Sequence, residues 1–155
     1  MLQRIQSIWL LLASLSIYAL FIFPLVHNIY VDDKLLTITV TGVLQDVNGK
    51  LTNTDGFGAL TNITALVGIV PIIIIFLYKN RPQQVAFSYG AMLLIIGLSI
   101  WMEKSVAAVT GGGQIALSSF GIGVLLSSIS LVFMVLAVKS IRRDEKLVKS
   151  ADRLR

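Results

Sequence analysis

The sequence predicts an all-α membrane protein, a four-transmembrane-helix bundle with a small antiparallel β-sheet in the first external loop. Four long segments without a formal charge cover most of the 155 residues: 5–31, 57–78, 85–102 and 105–138. Only 14% of the residues are charged, against about 25% in soluble domains. After the first apolar segment, aliphatic residues alternate with threonines, which is typical of a half-buried strand.

Each charge-free segment is long enough for one transmembrane helix, because about 20 apolar residues cross the bilayer core. We place the spans at 7–27, 58–78, 85–102 and 116–138. We interpret the first as an uncleaved span, since it exceeds the ~15 residues of a signal-peptide core and no small-residue cleavage motif follows Pro24. Residues 1–155 are therefore expected to form a single integral membrane domain.

The basic residues predict the orientation in the membrane. Lys34, Lys50 and Lys104 fall on one side of the predicted spans, and all the other lysines and arginines fall on the opposite side. Since cytoplasmic loops carry the excess of basic residues, both termini are predicted to be cytoplasmic in the inner membrane of a cell. Attraction to anionic lipid then explains the net charge of +5, and no nucleic acid is expected as a partner.

The external loop at 32–56 contains the predicted sheet. Asn48-Gly49 is a strong signal for a two-residue hairpin turn, because a type I′ turn needs a positive φ at both positions. We expect short strands at about 35–41, 43–47 and 50–54, packed on the helix ends. Such a sheet either caps the bundle or offers an edge strand to an extracytoplasmic partner.

The ionisable residues of the sequence do not form a pattern typical of catalysis, proton transfer or metal binding. No Asp, Glu, Lys or Arg falls inside the predicted spans, where such residues mark ion paths and proton relays. The chain has no cysteine, which excludes disulfides and thiol chemistry. His27 stands alone, and the adjacent carboxylates Asp32 and Asp33 need not converge on a substrate. We therefore predict no catalytic residue, no metal site, no cofactor and no enzymatic activity.

Small residues at helical spacing predict close contacts between helices, because they let helix backbones approach each other in a membrane. These residues are Thr64 and Gly68 in the second span, Ala86 and Gly90 in the third, and Ser119, Gly123 and Ser127 in the fourth. Packing inside the bundle is one interpretation. A homo-oligomer seam or a groove for a partner is the alternative.

The C-terminal segment 139–155 is predicted to continue the fourth span as a basic amphipathic helix. Glu145 and Lys149 stand at the favourable i, i+4 spacing. Such a helix suits the membrane surface or a partner protein. A solvated tail that only sets the topology is the alternative.

The two ends of the chain carry a family resemblance. The segments MLQRIQSIWLLLA and IRRDEKLVKSADRLR resemble an uncharacterised family of small four-helix inner-membrane proteins from Bacteroidota. The resemblance implies a location in the cell envelope and a fold, and it implies no reaction. It directs attention to the polar residues at the two ends, which are Gln3, Arg4, Gln6, Arg142, Arg143, Asp144, Glu145 and Arg153.

These observations predict a non-enzymatic accessory or assembly subunit of an inner-membrane complex. It would sit in the lipid bilayer and dock on a membrane or cytoplasmic protein through its cytoplasmic ends. The alternative hypothesis is a small transporter or lipid-handling protein with a cavity between the helices. Pro71 inside the second span and the serines of the fourth span favour this alternative.

Overall fold

The computed structural model of the chain describes residues 3–31, 34–47, 50–78, 80–111 and 116–152. Within these ranges the helices are α1 (Gln3–Ala19), α2 (Gly58–Phe76), α3 (Arg81–Thr110) and α4 (Ile122–Asp152), with a 3₁₀ turn at Leu117–Ser119 before α4. The strands are β1 (Val26–Val31), β2 (Lys34–Ile38), β3 (Gly42–Val47) and β4 (Lys50–Gly56), all between α1 and α2.

The helices form one bundle in which α1 and α3 each pack against both α2 and α4. All four contribute fully or almost fully buried aliphatic side chains to a common core: Leu10, Ile17, Leu60, Ile74, Ile95 and Met134. The outward surface is apolar as well, since Leu66, Leu93 and Leu125 are each more than half exposed. A helix that is apolar on all sides is typical of a membrane environment.

Three of the four described helices are long and apolar enough to cross a membrane: α2, α3, and the part of α4 from Ile122 to Leu147. Helix α1 is apolar but has 17 residues. At 1.5 Å per residue it is about 26 Å long, shorter than the roughly 30 Å of the hydrocarbon core. The prediction of one continuous helix over 7–27 is therefore wrong for residues 20–27, because α1 ends at Ala19 and β1 begins at Val26.

Backbone pairing explains why the first apolar segment leaves the helix. Pro24 has no N–H to donate, and the Leu25 N–H donates to the Ile38 carbonyl at 2.8 Å. Strand β1 then pairs antiparallel with β2, which satisfies the backbone groups along one side of the strand. Burial explains part of the apolar character of this segment, since Leu25 and Val26 are almost completely buried, whereas Ile22 is exposed.

The described strands form an antiparallel sheet in the order β1-β2-β3-β4. It has one strand more than the three predicted, because β1 comes from the first apolar segment. Strands β3 and β4 pair as far as Val47 and Lys50, and the predicted Asn48-Gly49 turn lies outside the described residues. Strand β2 ends at Ile38, before the predicted boundary at 41, because the Thr39 N–H already bonds the Gly42 carbonyl across a turn.

The sheet closes one end of the bundle. Ile38 and Val40 are fully buried and belong to the same core as Leu60, Met102 and Val106 of the helices. The Thr61 hydroxyl on α2 also donates to the Val40 carbonyl at 3.1 Å. We call this the sheet end, and we call the opposite end, where α1 begins and α4 ends, the terminal end.

The connector between α1 and β1 passes against the start of α4. The Gly121 N–H donates to the Leu25 carbonyl at 2.9 Å, and the Gly123 N–H donates to the Pro24 carbonyl at 3.1 Å. A Cβ atom on Gly123 would lie 2.6 Å from the Pro24 carbonyl oxygen. Glycine at this position is therefore required by a close approach of two backbones.

We predict that Gly123→Ala lowers the free energy of unfolding by roughly 1–3 kcal/mol, the usual cost of overpacking, because the backbone of the connector must move. Thermal unfolding of the purified protein in detergent measures this. Gly97→Ala is the matched control, since a Cβ there meets nothing within 4 Å and alanine favours a helix over glycine by about 0.5–1 kcal/mol. An equal loss of stability in both variants would contradict the close approach.

Candidate functional site

The terminal end of the bundle carries the exposed basic residues of the last turns of α4. We define the basic face as Lys139, Arg142, Arg143 and Lys146, all of which are exposed. Together with Glu145 they line a groove of about 550 Å³. Since four of the five described lining residues are basic, the groove favours an acidic group.

Arg142 is held in place by a neighbouring helix. Its guanidinium carbon lies 5.4 Å from the centroid of the Tyr89 ring on α3. A guanidinium within about 6 Å of a ring centroid is attracted by the negative face of the aromatic ring. The contact joins the end of α4 to α3 and orients the charge before any partner binds.

Asp144 and Gln6 do not lie on this exposed surface. Asp144 is only 5% exposed, and both its carboxylate oxygens are buried without a hydrogen-bond partner. Two residues along an α-helix differ by about 200° in direction, so Asp144 points away from Arg142. It follows Ala137 and Ile141 on the buried stripe of α4, and Gln6 on α1 is also buried.

The predicted docking residues are thus divided. Arg142 and Arg143 are exposed, and Glu145 is half-buried. The side chains of Gln3 and Arg4, and the whole of Arg153, lie outside the part of the chain that the structure describes. Among the described side chains of this set, the two arginines are therefore the accessible ones.

Thr64 and Gly68 lie where α2 meets α1. Thr64 is fully buried, and a Cβ on Gly68 would lie 3.0 Å from the Tyr18 ring. The Ser14 hydroxyl on α1 donates to the Gly68 carbonyl at 2.7 Å. The absence of a side chain at Gly68 therefore allows both the ring contact and the interhelical hydrogen bond.

Ala86 and Gly90 are exposed, and a Cβ on Gly90 would meet nothing within 4 Å. This pair does not pack inside the bundle, so the interpretation as internal packing is wrong for it. Its spacing on α3 is correct for a shared face, but Gln84 and Ser88, which are buried, define the inward face of the helix.

The third predicted series is split between two elements. Gly123 and Ser127 are buried on α4, whereas Ser119 is half-buried in the 3₁₀ turn, because α4 begins at Ile122 rather than at 116. The same face of α4 packs on α1 further along. There the Ser130 hydroxyl donates to the Ala13 carbonyl at 2.9 Å.

Sequence reasoning missed Gln84, which lies at the start of α3 and is 1% exposed. Its side-chain N–H group donates to the Ile74 carbonyl on α2 at 3.1 Å, and its Oε1 has no hydrogen-bond partner. A buried glutamine next to charged residues gives no periodic signal that distinguishes it from an exposed one. Its role is to tie α3 to the end of α2.

A second feature lies at the sheet end, where a cavity of about 660 Å³ separates α3 from α4. Its described lining is mostly apolar, and Glu103 is the charged residue among it. Within the described parts of the chain, no group of three or more His, Cys, Asp or Glu residues is placed to hold a metal ion.

Together these features define a class of protein: a helical bundle with helices of membrane length, a sheet that closes one end and a basic helix end at the other. The chain belongs to the family described as domain of unknown function DUF4293, which matches residues 2–154. The family relationship therefore extends over the middle of the chain as well as its ends. No protein of curated function matches the chain.

We predict that Tyr89→Leu increases backbone hydrogen exchange over residues 139–147, because the end of α4 loses its cation–π contact with α3. Such a contact contributes about 0.5–1 kcal/mol at an exposed site, so the melting temperature of the bundle should change little. Phe87→Leu removes an exposed aromatic ring from the same turn and is the control. Equal exchange in both variants would show that Arg142 is not held by Tyr89.

Proposed function

We propose that the protein is a non-enzymatic accessory or assembly subunit of an inner-membrane complex, and that it docks through its basic face on an acidic surface of a partner protein. The main observation that supports this proposal is the length of α4. Its 31 residues extend about 46 Å at 1.5 Å per residue, whereas the hydrocarbon core is about 30 Å thick. About three turns therefore extend beyond the hydrocarbon, and they contain Arg142, Arg143 and Lys146 of the basic face.

The proposed orientation follows the distribution of charge. The terminal end holds the basic face, and the positive-inside rule assigns such an end to the cytoplasm. We include α1 as a fourth crossing, since it packs along α4 from Trp9, whose ring stacks on Phe133, to the hydrogen bond at Ala13. Local thinning of the bilayer accommodates its shorter length at modest cost.

The held position of Arg142 favours a protein partner over anionic lipid alone. Anionic lipid attracts a basic residue by about 1 kcal/mol without requiring any orientation. A guanidinium that lies over the Tyr89 ring has already lost part of its conformational freedom. Docking on a partner therefore costs less side-chain entropy. Guanidinium groups also form bidentate hydrogen bonds with carboxylates, which give specificity for an acidic protein surface.

We predict that the double variant Arg142→Glu/Arg143→Glu loses its partner while the bundle stays folded, because charge reversal replaces attraction at the interface with repulsion. The measurement is affinity purification from native membranes in mild detergent, with crosslinking through Lys139 and Lys146 and mass spectrometry. Lys104→Glu is the matched control, since this exposed lysine lies on α3 towards the sheet end. It should retain the partner.

Retention of the partner by the double variant would refute docking through the basic face. A wild-type protein that comes out of native membranes without any stoichiometric partner would refute the accessory-subunit proposal as a whole. The melting temperature of each variant separates loss of the partner from loss of the fold.

A further inference from the structure

The cavity at the sheet end has the size of a ligand site. Its volume of about 660 Å³ falls within the roughly 300–1,000 Å³ typical of pockets for small molecules. Met102 and Val106 of α3 form one wall, Leu131 of α4 forms the other, and Leu25 and Val26 close the cavity towards the sheet. The apolar lining favours a hydrocarbon chain.

The cavity opens sideways onto the apolar surface of the bundle. Ile96 and Ile100 of α3 and Val124 of α4 line it, and each of these side chains is exposed by 41% or more. Both helices are long and apolar enough to cross a membrane. A lipid chain could therefore enter from the bilayer without crossing water.

Three of the four hydroxyl groups in the described lining, all but that of Ser128, can act on a ligand only as hydrogen-bond acceptors. The hydroxyls of Ser99, Thr110 and Ser127 donate to carbonyls of their own helices at 2.9, 3.1 and 3.3 Å. A hydroxyl has one proton, so these groups offer only lone pairs to a ligand. Glu103, whose carboxylate is also an acceptor, is the charged residue among the described lining residues.

We propose that this cavity binds a membrane lipid with a primary ammonium head group, with an acyl chain between α3 and α4 and the ammonium group on Glu103. A primary ammonium has three N–H donors, and charge-assisted hydrogen bonds to a carboxylate are about twice as strong as neutral ones. The positively charged N–H donors of the ligand are thus complementary to the Glu103 carboxylate and to the hydroxyl acceptors of the cavity.

Other head groups fit the cavity less well. A quaternary ammonium has no N–H donor, and proteins recognise it with cages of aromatic rings, whereas Phe120 is the one aromatic residue in the described lining. An anionic head group without an amine would meet Glu103 and find no basic residue among the described lining residues. Ethanolamine phospholipids and aminoacylated lipids both supply a primary ammonium.

The lipid site is independent of the docking proposal, since it lies at the sheet end and the basic face lies at the terminal end. It would make the protein a lipid-binding subunit whether or not the basic face holds a partner.

The test is native mass spectrometry of the delipidated full-length protein, titrated with phosphatidylethanolamine, phosphatidylcholine and phosphatidylglycerol that carry identical acyl chains. The wild type should bind the ethanolamine lipid several-fold more tightly than the other two. Glu103→Gln should weaken binding of the ethanolamine lipid about tenfold, which corresponds to one hydrogen bond to a charged group, and should leave the choline lipid unaffected.

Lys104→Gln is the matched control, because it removes a neighbouring charge that does not line the cavity, and it should retain the preference for ethanolamine. Ala107→Phe places a ring in the cavity and should weaken binding of all three lipids. Equal binding of the ethanolamine and choline lipids by the wild type overturns the proposal, as does an unchanged preference in Glu103→Gln.

Lipids that remain on the protein after purification from native membranes identify the source of the ammonium group. Ethanolamine phospholipid and aminoacylated lipid differ in fragment masses, and either one supports the site. Enrichment of a lipid without a primary amine overturns it.

Discussion

The backbone of Pro24 and Leu25 lies in hydrogen-bond contact with the start of α4, and the arrangement of both the sheet and the bundle depends on this contact. On one side, the carbonyls of Pro24 and Leu25 accept from Gly123 and Gly121; on the other, the Leu25 N–H donates to the Ile38 carbonyl of β2. The connector thus joins the helices to the sheet directly. Because side chains at the two glycines would collide with it, residues without a Cβ are required there.

The two ends of the bundle differ in their chemistry. At the sheet end, the strands cover the core and the cavity between α3 and α4 offers acceptors around Glu103. At the terminal end, α4 continues beyond the length that a bilayer needs and exposes its basic face. A subunit that docks on one side of a membrane and holds a lipid near the other would use both ends at once, and neither use requires a catalytic group.

The composition predicts which segments form helices better than it predicts the first and last residues of each helix. Helix α2 was predicted at 58–78 and observed at Gly58–Phe76, because its charge-free segment is bounded by turns. Helix α3 runs on to Thr110, since Glu103 and Lys104 are compatible with a helix, and it ends at Gly111, whose φ of 63° only glycine adopts readily. Periodicity alone does not distinguish a short buried strand from a helix, which is why β1 was missed.

The exposure of Arg142 and Arg143 followed from the sequence, whereas the burial of Asp144 and the cavity at Glu103 depend on tertiary packing.

We propose that the sheet end and the basic face lie on opposite sides of the membrane, with the basic face in the cytoplasm. The chain has no cysteine, so single cysteines introduced at the exposed positions Thr54 and Lys146 can be labelled with a membrane-impermeant maleimide. We expect Thr54→Cys to be labelled in spheroplasts with an intact inner membrane, and Lys146→Cys to be labelled only after this membrane is opened. Labelling of both positions from the same side would contradict it.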